Sequence, residues 1–309
     1  MINRDLSDLP RSVTRPGSPK RDSVELANII TAWRTNYEAG WDMSLPMAIP
    51  DAGPYRASYA NTRCDRALHY RFTSTVKSNP VDVASLWNFW LGHLIGEGMH
   101  AACAAAYPSA IAEQAVDLRP LGIPGSGSSD TWVPDDGEGG SFNLEYKSTG
   151  GYGFKKKTVE GEGPTFGSIV QGALSNRGLN ADRLLVPFLS KENISVKVAA
   201  QHNLAEIDRF AAVWEYSAAE CDVLVRAEAA RVGRVLQFAD TDILPARELS
   251  EPRYPVGAVI KDPKRGTWVK LDANGNVTGS GTAWECDYCD FRDQCITDGA
   301  GGTESTGGF

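Results

Sequence analysis

The spacing of apolar and polar positions divides the chain into a series of elements. A helical period runs over Ser23–Ala39, followed by a Pro-rich, extended stretch, Met43–Tyr59. Helical spacing returns over Ser58–Phe72 and again, long and Ala-rich, over Ala84–Tyr107. Glu113–Arg119 reads as a strand. Asp130–Val133 and Phe142–Lys147 are strand-like runs around Pro134–Gly140, a stretch of turn formers and acids, so a hairpin is expected there. Lys155, Lys156 and Lys157 form a basic turn. Pro164–Asn176 follows as a helix with Pro early and Gly178 as its stop. Arg183–Ser190 and Ile194–Ala200 read as strands, and Asn203 with Glu206 as the capped start of a helix to about Val232. A short strand is expected at Trp268–Leu271 within a mixed segment, 240–284. The order predicts an α/β fold: a mixed central sheet with helices on its faces. Residues 24–298 are expected to form one domain between a flexible extension, 1–23, and a Gly/Ser/Thr-rich disordered tail, 299–309.

The chain has 309 residues and a hydrophobic content of 42%, enough for a core. Its net charge of −8 is not that of a protein that coats nucleic acid, although a local basic lining can steer DNA on an acidic molecule. No apolar run reaches the length of a membrane span, and the N-terminus has no apolar signal core, so a cytoplasmic protein is expected.

The hairpin carries the first candidate chemistry. Side chains alternate along a strand, so Glu145 and Lys147 share one face while Leu144 and Tyr146 share the other. Asp130 can sit beside them. Hard divalent cations such as Mg²⁺ or Mn²⁺ take carboxylate oxygens together with water and substrate phosphate. Such a site activates water and stabilises charge on a phosphodiester. Lys147 would hold the water or neutralise the developing charge.

On the Ala84–Tyr107 helix, His93, Glu97 and His100 lie on one face, which makes a histidine a candidate third metal ligand. Gln171, on the helix after the hairpin, is a candidate for orienting phosphate or water. Near the end stands Cys286-x2-Cys289-x5-Cys295, thiol spacing suited to Zn²⁺ or a [4Fe–4S] cluster. Of the three remaining cysteines, Cys103 and Cys221 fall within helices. Cys64, among Arg63, Arg66 and Arg71, has the cationic setting that favours a thiolate and is the choice for fourth ligand.

Taken together, Cys64, Gly96-x3-His100, Gly127-x2-Asp130, Glu145-x-Lys147, a Gln-bearing helix and C-x2-C-x5-C resemble the RecB-like nucleases of the PD-(D/E)xK superfamily. More specifically, the order looks like the iron–sulfur branch that includes the CRISPR-associated protein 4 exonucleases and their phage-encoded relatives. The resemblance spans roughly Cys64 to Cys295. It implies a restriction-endonuclease-like core and a metal-dependent DNA exonuclease acting in recombination, repair or end processing. It also implies Mg²⁺ or Mn²⁺ held by His100, Asp130 and Glu145, with Lys147 catalytic. A [4Fe–4S] cluster on Cys64, Cys286, Cys289 and Cys295 would join parts near 58–72 and 284–298. Gln171 matches the Gln of the family's Gln-x3-Tyr motif, but Ser175 stands where the Tyr belongs. The implied partner is DNA, single-stranded or end-exposed, with a homo-oligomer or recombination partner compatible. The implied location is the host cytoplasm if the chain is phage-encoded. Lys155, Lys156 and Lys157 are candidate contacts to the DNA backbone. The alternatives are a non-catalytic DNA-binding or assembly module of a CRISPR-adaptation or recombination complex, and a zinc-ribbon structural protein.

Overall fold

The computed structural model describes residues 23–38, 54–79, 83–241, 243–246, 259–261, 268–271, 277–280, 286 and 289–298. The expected N-terminal extension up to residue 22, the stretch 43–53 and the expected tail 299–309 lie outside them. The chain divides into two compact units: residues 1–61 with 87–230, and residues 62–86 with 231–309.

The first unit is built on a mixed seven-stranded sheet. Its helices are α1 (Val24–Glu38), most of α3 (Val83–Ala106), α4 (Gly151–Thr158), α5 (Phe166–Gly178), α6 (Val196–Gln201) and the first part of α7 (Ala218–Ala239). Helix α2 (Asp65–Phe72) belongs to the second unit. The strands are β1 (Tyr55–Arg56), β2 (Ile111–Asp117), β3 (Gly125–Val133), β4 (Phe142–Leu144), β5 (Lys147–Thr149), β6 (Arg183–Ser190) and β7 (Ala211–Ser217). Strand β2 runs antiparallel along one edge of β3. The other edge of β3 takes β1 in parallel at its start and β4 antiparallel at its end. Strand β6 carries β4 and β5 in parallel on one side and β7 antiparallel on the other.

The hairpin forms as the sequence predicts, with Thr131 paired to Leu144 and Val133 to Phe142. Its loop is closed by the Asp136 carboxylate, which accepts from the backbone N–H groups of Glu138 and Gly140. Alternation holds: Phe142, Leu144 and Tyr146 enter a core with Leu26 and Ile29 of α1 and Met99, Ala102 and Cys103 of α3. The opposite face receives α5, whose Gly172 carbonyl accepts from Asn143 Nδ2. Each large core side chain removed from water contributes about 1.5–3 kcal/mol.

Five expectations are corrected. Ser58–Phe72 is not one helix: a 3₁₀ turn, Ala57–Asn61, comes first, and Cys64 caps α2 from an extended backbone. Lys155, Lys156 and Lys157 lie in the last turn of α4 rather than in a turn, where their charge suits the carbonyl end of the helix. Pro164 and Thr165 precede α5, with Thr165 as the N-cap accepting from Ser168 N–H, and Gly178 is still helical. Ile194–Ala200 is not a strand but leads into α6, because the Ser195 hydroxyl caps the turn by accepting from Val198 N–H. The long helix begins only at Ala218, since Ala211–Ser217 is strand β7, paired along β6.

In the second unit, β8 (Val259–Lys261), β9 (Trp268–Leu271) and β10 (Val277–Ser280) form an antiparallel sheet that includes the strand expected at Trp268. Helix α8 (Arg292–Thr297) ends its described part. No helix of the described residues is long and apolar enough to cross a membrane.

Candidate active site

The site lies where the strand after the hairpin is interrupted. Strands β4 and β5 keep one register on β6, Leu144 opposite Leu185 and Lys147 opposite Phe188, but Glu145 and Tyr146 between them leave the ladder. The cause is Pro187. Leu185 directs its backbone groups toward this edge, where its carbonyl accepts from Glu145 N–H. Pro187, two residues on, points the same way but has no N–H to give. On the other side the Asp130 carboxylate substitutes for a backbone carbonyl: its Oδ2 accepts from Tyr146 N–H at 2.7 Å. The interrupted strand thereby fixes Asp130 beside Glu145.

Lys147 completes this group. Its Nζ donates to Glu145 Oε1 at 2.6 Å and to Gln171 Oε1 at 3.0 Å. Gln171 also accepts from Asn61 Nδ2 at 2.6 Å, so a residue of the 3₁₀ turn holds the glutamine in place. Helix α5 comes this close because residue 172 is glycine. A Cβ there would lie 2.8 Å from Leu184 Cδ1 and 3.2 Å from Glu145 Cβ. Ser175, at the position where the resemblance implies a tyrosine, is fully buried and donates to the Ser128 carbonyl at 2.9 Å. No space remains there for an aromatic ring.

His100 lines the same cleft as this group, from α3, its Nδ1 lying 3.0 Å from Thr131 Oγ1. Asp130, Glu145, Lys147, Gln171, His100 and His93 all line one cleft of about 750 Å³. Lys155, Lys156 and Lys157 are not among its lining residues. Lys155 pairs with Glu160 at 3.3 Å and Lys156 with Glu162 at 3.4 Å, while Lys157 Nζ donates to the Gly163 carbonyl and lies over the Phe188 ring.

Two acids enter the site that sequence motifs did not assign to it. Glu113 of β2 lines the cleft at the level of Asp130, between the pairs Ala112–Thr131 and Gln114–Ser129. Its backbone adopts φ 45°, the left-handed region that non-glycine residues rarely enter. Only the strand register brings it there. Glu97 shares the His100 face of α3. Its Oε2 is buried without a hydrogen-bond partner in the cleft wall, as is Glu145 Oε2.

The electrostatics follow from this crowding. Burial raises the Glu145 carboxyl, the Asp130 charge raises it further, and Lys147 offsets only part of the rise. Burial also raises Asp130, with Lys147 opposing and Glu113 adding to the rise. Protein packed around its carboxylate raises Glu113, and Glu145 adds to that. Burial alone would lower Lys147, but Glu145 and Asp130 outweigh it and keep the ammonium charged. Burial lowers His100, leaving the neutral imidazole that a metal ligand requires. Excess buried negative charge, an orphaned Glu145 oxygen and a neutral histidine suit a divalent cation in the character of their donors. Among the described residues, however, no three His, Cys, Asp or Glu side chains are drawn close enough together to hold a metal ion.

The cysteines divide as their burial dictates. Cys103 and Cys221 are fully enclosed, and burial pushes both thiols up to about 12. In the second unit, Cys64, Cys289 and Cys295 pack around Ala67, Tyr70 and Phe291, with Cys286 linked to them through its carbonyl, which accepts from Cys289 N–H. Burial raises the Cys289 thiol to about 11, and the neighbouring Cys64 and Cys295 add to the rise. The two chain segments are joined by hydrogen bonds, Asn79 Nδ2 to the Cys289 carbonyl and Tyr70 Oη to Asp298, and by ion pairs from Arg71 and Lys77 to Asp290. None of the six cysteines is in a disulfide.

No family profile and no curated protein matches this chain. Among solved structures, one described as the crystal structure of SSO0001 is similar at 11% identity and a TM-score of 0.42, over 89% of this chain and 97% of that one.

Proposed function

We propose that the protein is a metal-dependent deoxyribonuclease of the PD-(D/E)xK type, an exonuclease hydrolysing phosphodiester bonds in DNA recombination, repair or end processing. One observation carries this reading: Asp130, Glu145, Lys147 and Gln171 converge in one cleft, around a buried carboxylate pair with an unpartnered oxygen. A structural ion pair has no need of a second acid beside it, nor of an orphaned oxygen, both of which cost stability. An Mg²⁺ or Mn²⁺ held by His100, Asp130 and Glu145 would, when bound, lower the pKa of water and offset phosphodiester charge. Lys147, its Nζ fixed between Glu145 and Gln171, presents an ammonium to the charge that builds in the transition state. Gln171, with its Oε1 committed to Lys147 and Asn61, keeps an amide N–H₂ for a phosphate oxygen or water. A [4Fe–4S] cluster on Cys64, Cys286, Cys289 and Cys295 is part of the same proposal. The gathering of Cys64, Cys289 and Cys295 around Phe291 supports it, and electron transfer is assigned no role in cleavage.

The test is a time course on end-labelled DNA with Mn²⁺, Mg²⁺ or EDTA. Stepwise shortening with either metal and none in EDTA is expected. DNA binding without cleavage under every metal would favour the non-catalytic assembly module instead.

A further inference from the structure

The wall of the cleft continues beyond the catalytic group along α3. Phe89, His93 and His100 all line it. At 100° per residue they fall within about 40° of one another on the helix surface, and Phe89 stands about 16 Å along the axis from His100. Phe89 is 56% exposed, a large apolar ring facing water in the wall of the cleft. Lys191 lines the same cleft, and its Nζ donates to the carbonyl of Asn88, the residue before Phe89. His93, one helical turn further along α3, is exposed as well.

We propose that Phe89, Lys191 and His93 form a subsite for a single DNA strand entering the cleft. Phe89 stacks on an unpaired base, and Lys191 and His93 contact the backbone. This rests on the nuclease reading above and adds to it the place where a single strand is held. A phenyl ring has no donor or acceptor with which to read a base edge, so it suits a sequence-tolerant platform. It needs the open face of a base, which a duplex conceals except at its ends. Charge favours the same choice. A duplex carries twice the phosphate density of one strand. This chain has a net charge of −8, and its Lys155 and Lys156 are already paired with Glu160 and Glu162. The separation of Phe89 from His100 is the reach of a few nucleotides, which puts the stacked base that far from the scissile bond.

The experiment uses the full chain in Ca²⁺, with oligonucleotides carrying 2-aminopurine at successive positions from one end, and blunt duplexes of the same sequence. Wild-type protein should quench 2-aminopurine at one position a few nucleotides from the end. Phe89→Ala should abolish that quenching and weaken single-strand binding by at least about fivefold, the lower range for losing one base stack. Duplex binding and melting temperature should not change, because the ring is exposed. Phe89→Tyr should restore both quenching and affinity. Equal single-strand affinity and quenching for wild type and Phe89→Ala, with metal-dependent cleavage intact, would overturn the subsite and leave the nuclease standing. A wild-type protein that neither binds nor cleaves DNA would overturn both. Equal losses on duplex and single strand would overturn the assignment of this place to a single strand.

Discussion

At the scale of single residues, the site stores unfavourable charge. Asp130 and Glu145 are both raised by burial, Asp130 further by Glu113 and Glu145 further by Asp130, so in the folded protein both resist ionisation. The sign of the linkage follows. A carboxyl whose folded pKa exceeds its unfolded value favours folding below the ordinary carboxylate range, and that contribution is lost as pH rises through the folded pKa. Asp130→Asn stays neutral and can still accept from Tyr146 N–H. In EDTA it should therefore melt close to wild type near pH 4 and above it at pH 8, by about 1–3 kcal/mol. A variant less stable at both pH values would show that the carboxylate is not under strain. Lys147→Ala acts in the opposite direction. It should lower single-turnover cleavage at least roughly a hundredfold while leaving DNA binding in Ca²⁺ unchanged. It should also lower the melting temperature, because Glu145 is left buried without its cation. Added Mn²⁺ should not rescue cleavage, since Lys147 is not a metal ligand. Cleavage at the wild-type rate would remove this strand from the chemistry.

At the scale of elements, two packing events make the site. Pro187 interrupts the edge of β6, and Gly172 lets α5 settle onto the freed residues. Gly172→Val should push α5 away from Glu145 and Leu184, break the contact between Lys147 and Gln171, and destabilise by about 1–3 kcal/mol as an overpacked core position. Thermal melts would read the stability and single-turnover rates the contact. Ser175→Tyr makes a sharper test, because it restores the residue expected from the resemblance. Ser175 is fully buried against Ser128, so the ring has no room and should lower stability without raising activity. Retained stability with faster cleavage would mean that α5 can tilt to accept the ring.

At the scale of the whole molecule, the chain divides its chemistry between two compact units, with the carboxylate cleft in one and the four proposed cluster ligands in the other. Ligand binding energy is also folding energy, so Cys64→Ala should reduce iron content and stability together. Cys103→Ala should leave iron content unchanged and cost only the small cavity, about 1 kcal/mol. Iron assay and visible absorption on both variants decide this, and a protein bleached by Cys103→Ala would reverse the ligand assignment.

Much of the element order was legible in the sequence, because helical and strand periodicities are local. So was the pairing of faces, with Glu145 and Lys147 on one side of their strand and Leu144 and Tyr146 on the other, since alternation needs no partner. Strand β7 was not legible. Its Ala211-Ala-Val-Trp-Glu-Tyr216 run serves a helix as readily as a strand, and pairing with β6 made the choice. Helix α6 was missed for the opposite reason: a single Ser195 cap outweighed the β-branched residues that follow it. Glu113 and Asn61 joined the site through strand register and helix docking, which connect residues far apart in the chain and leave no local trace. The sequence by itself determined which side chains were chemically equipped to act. The tertiary structure decided which of them meet, because the interruption at Pro187 and the close approach at Gly172 take effect only once β4, β5, β6 and α5 are packed together.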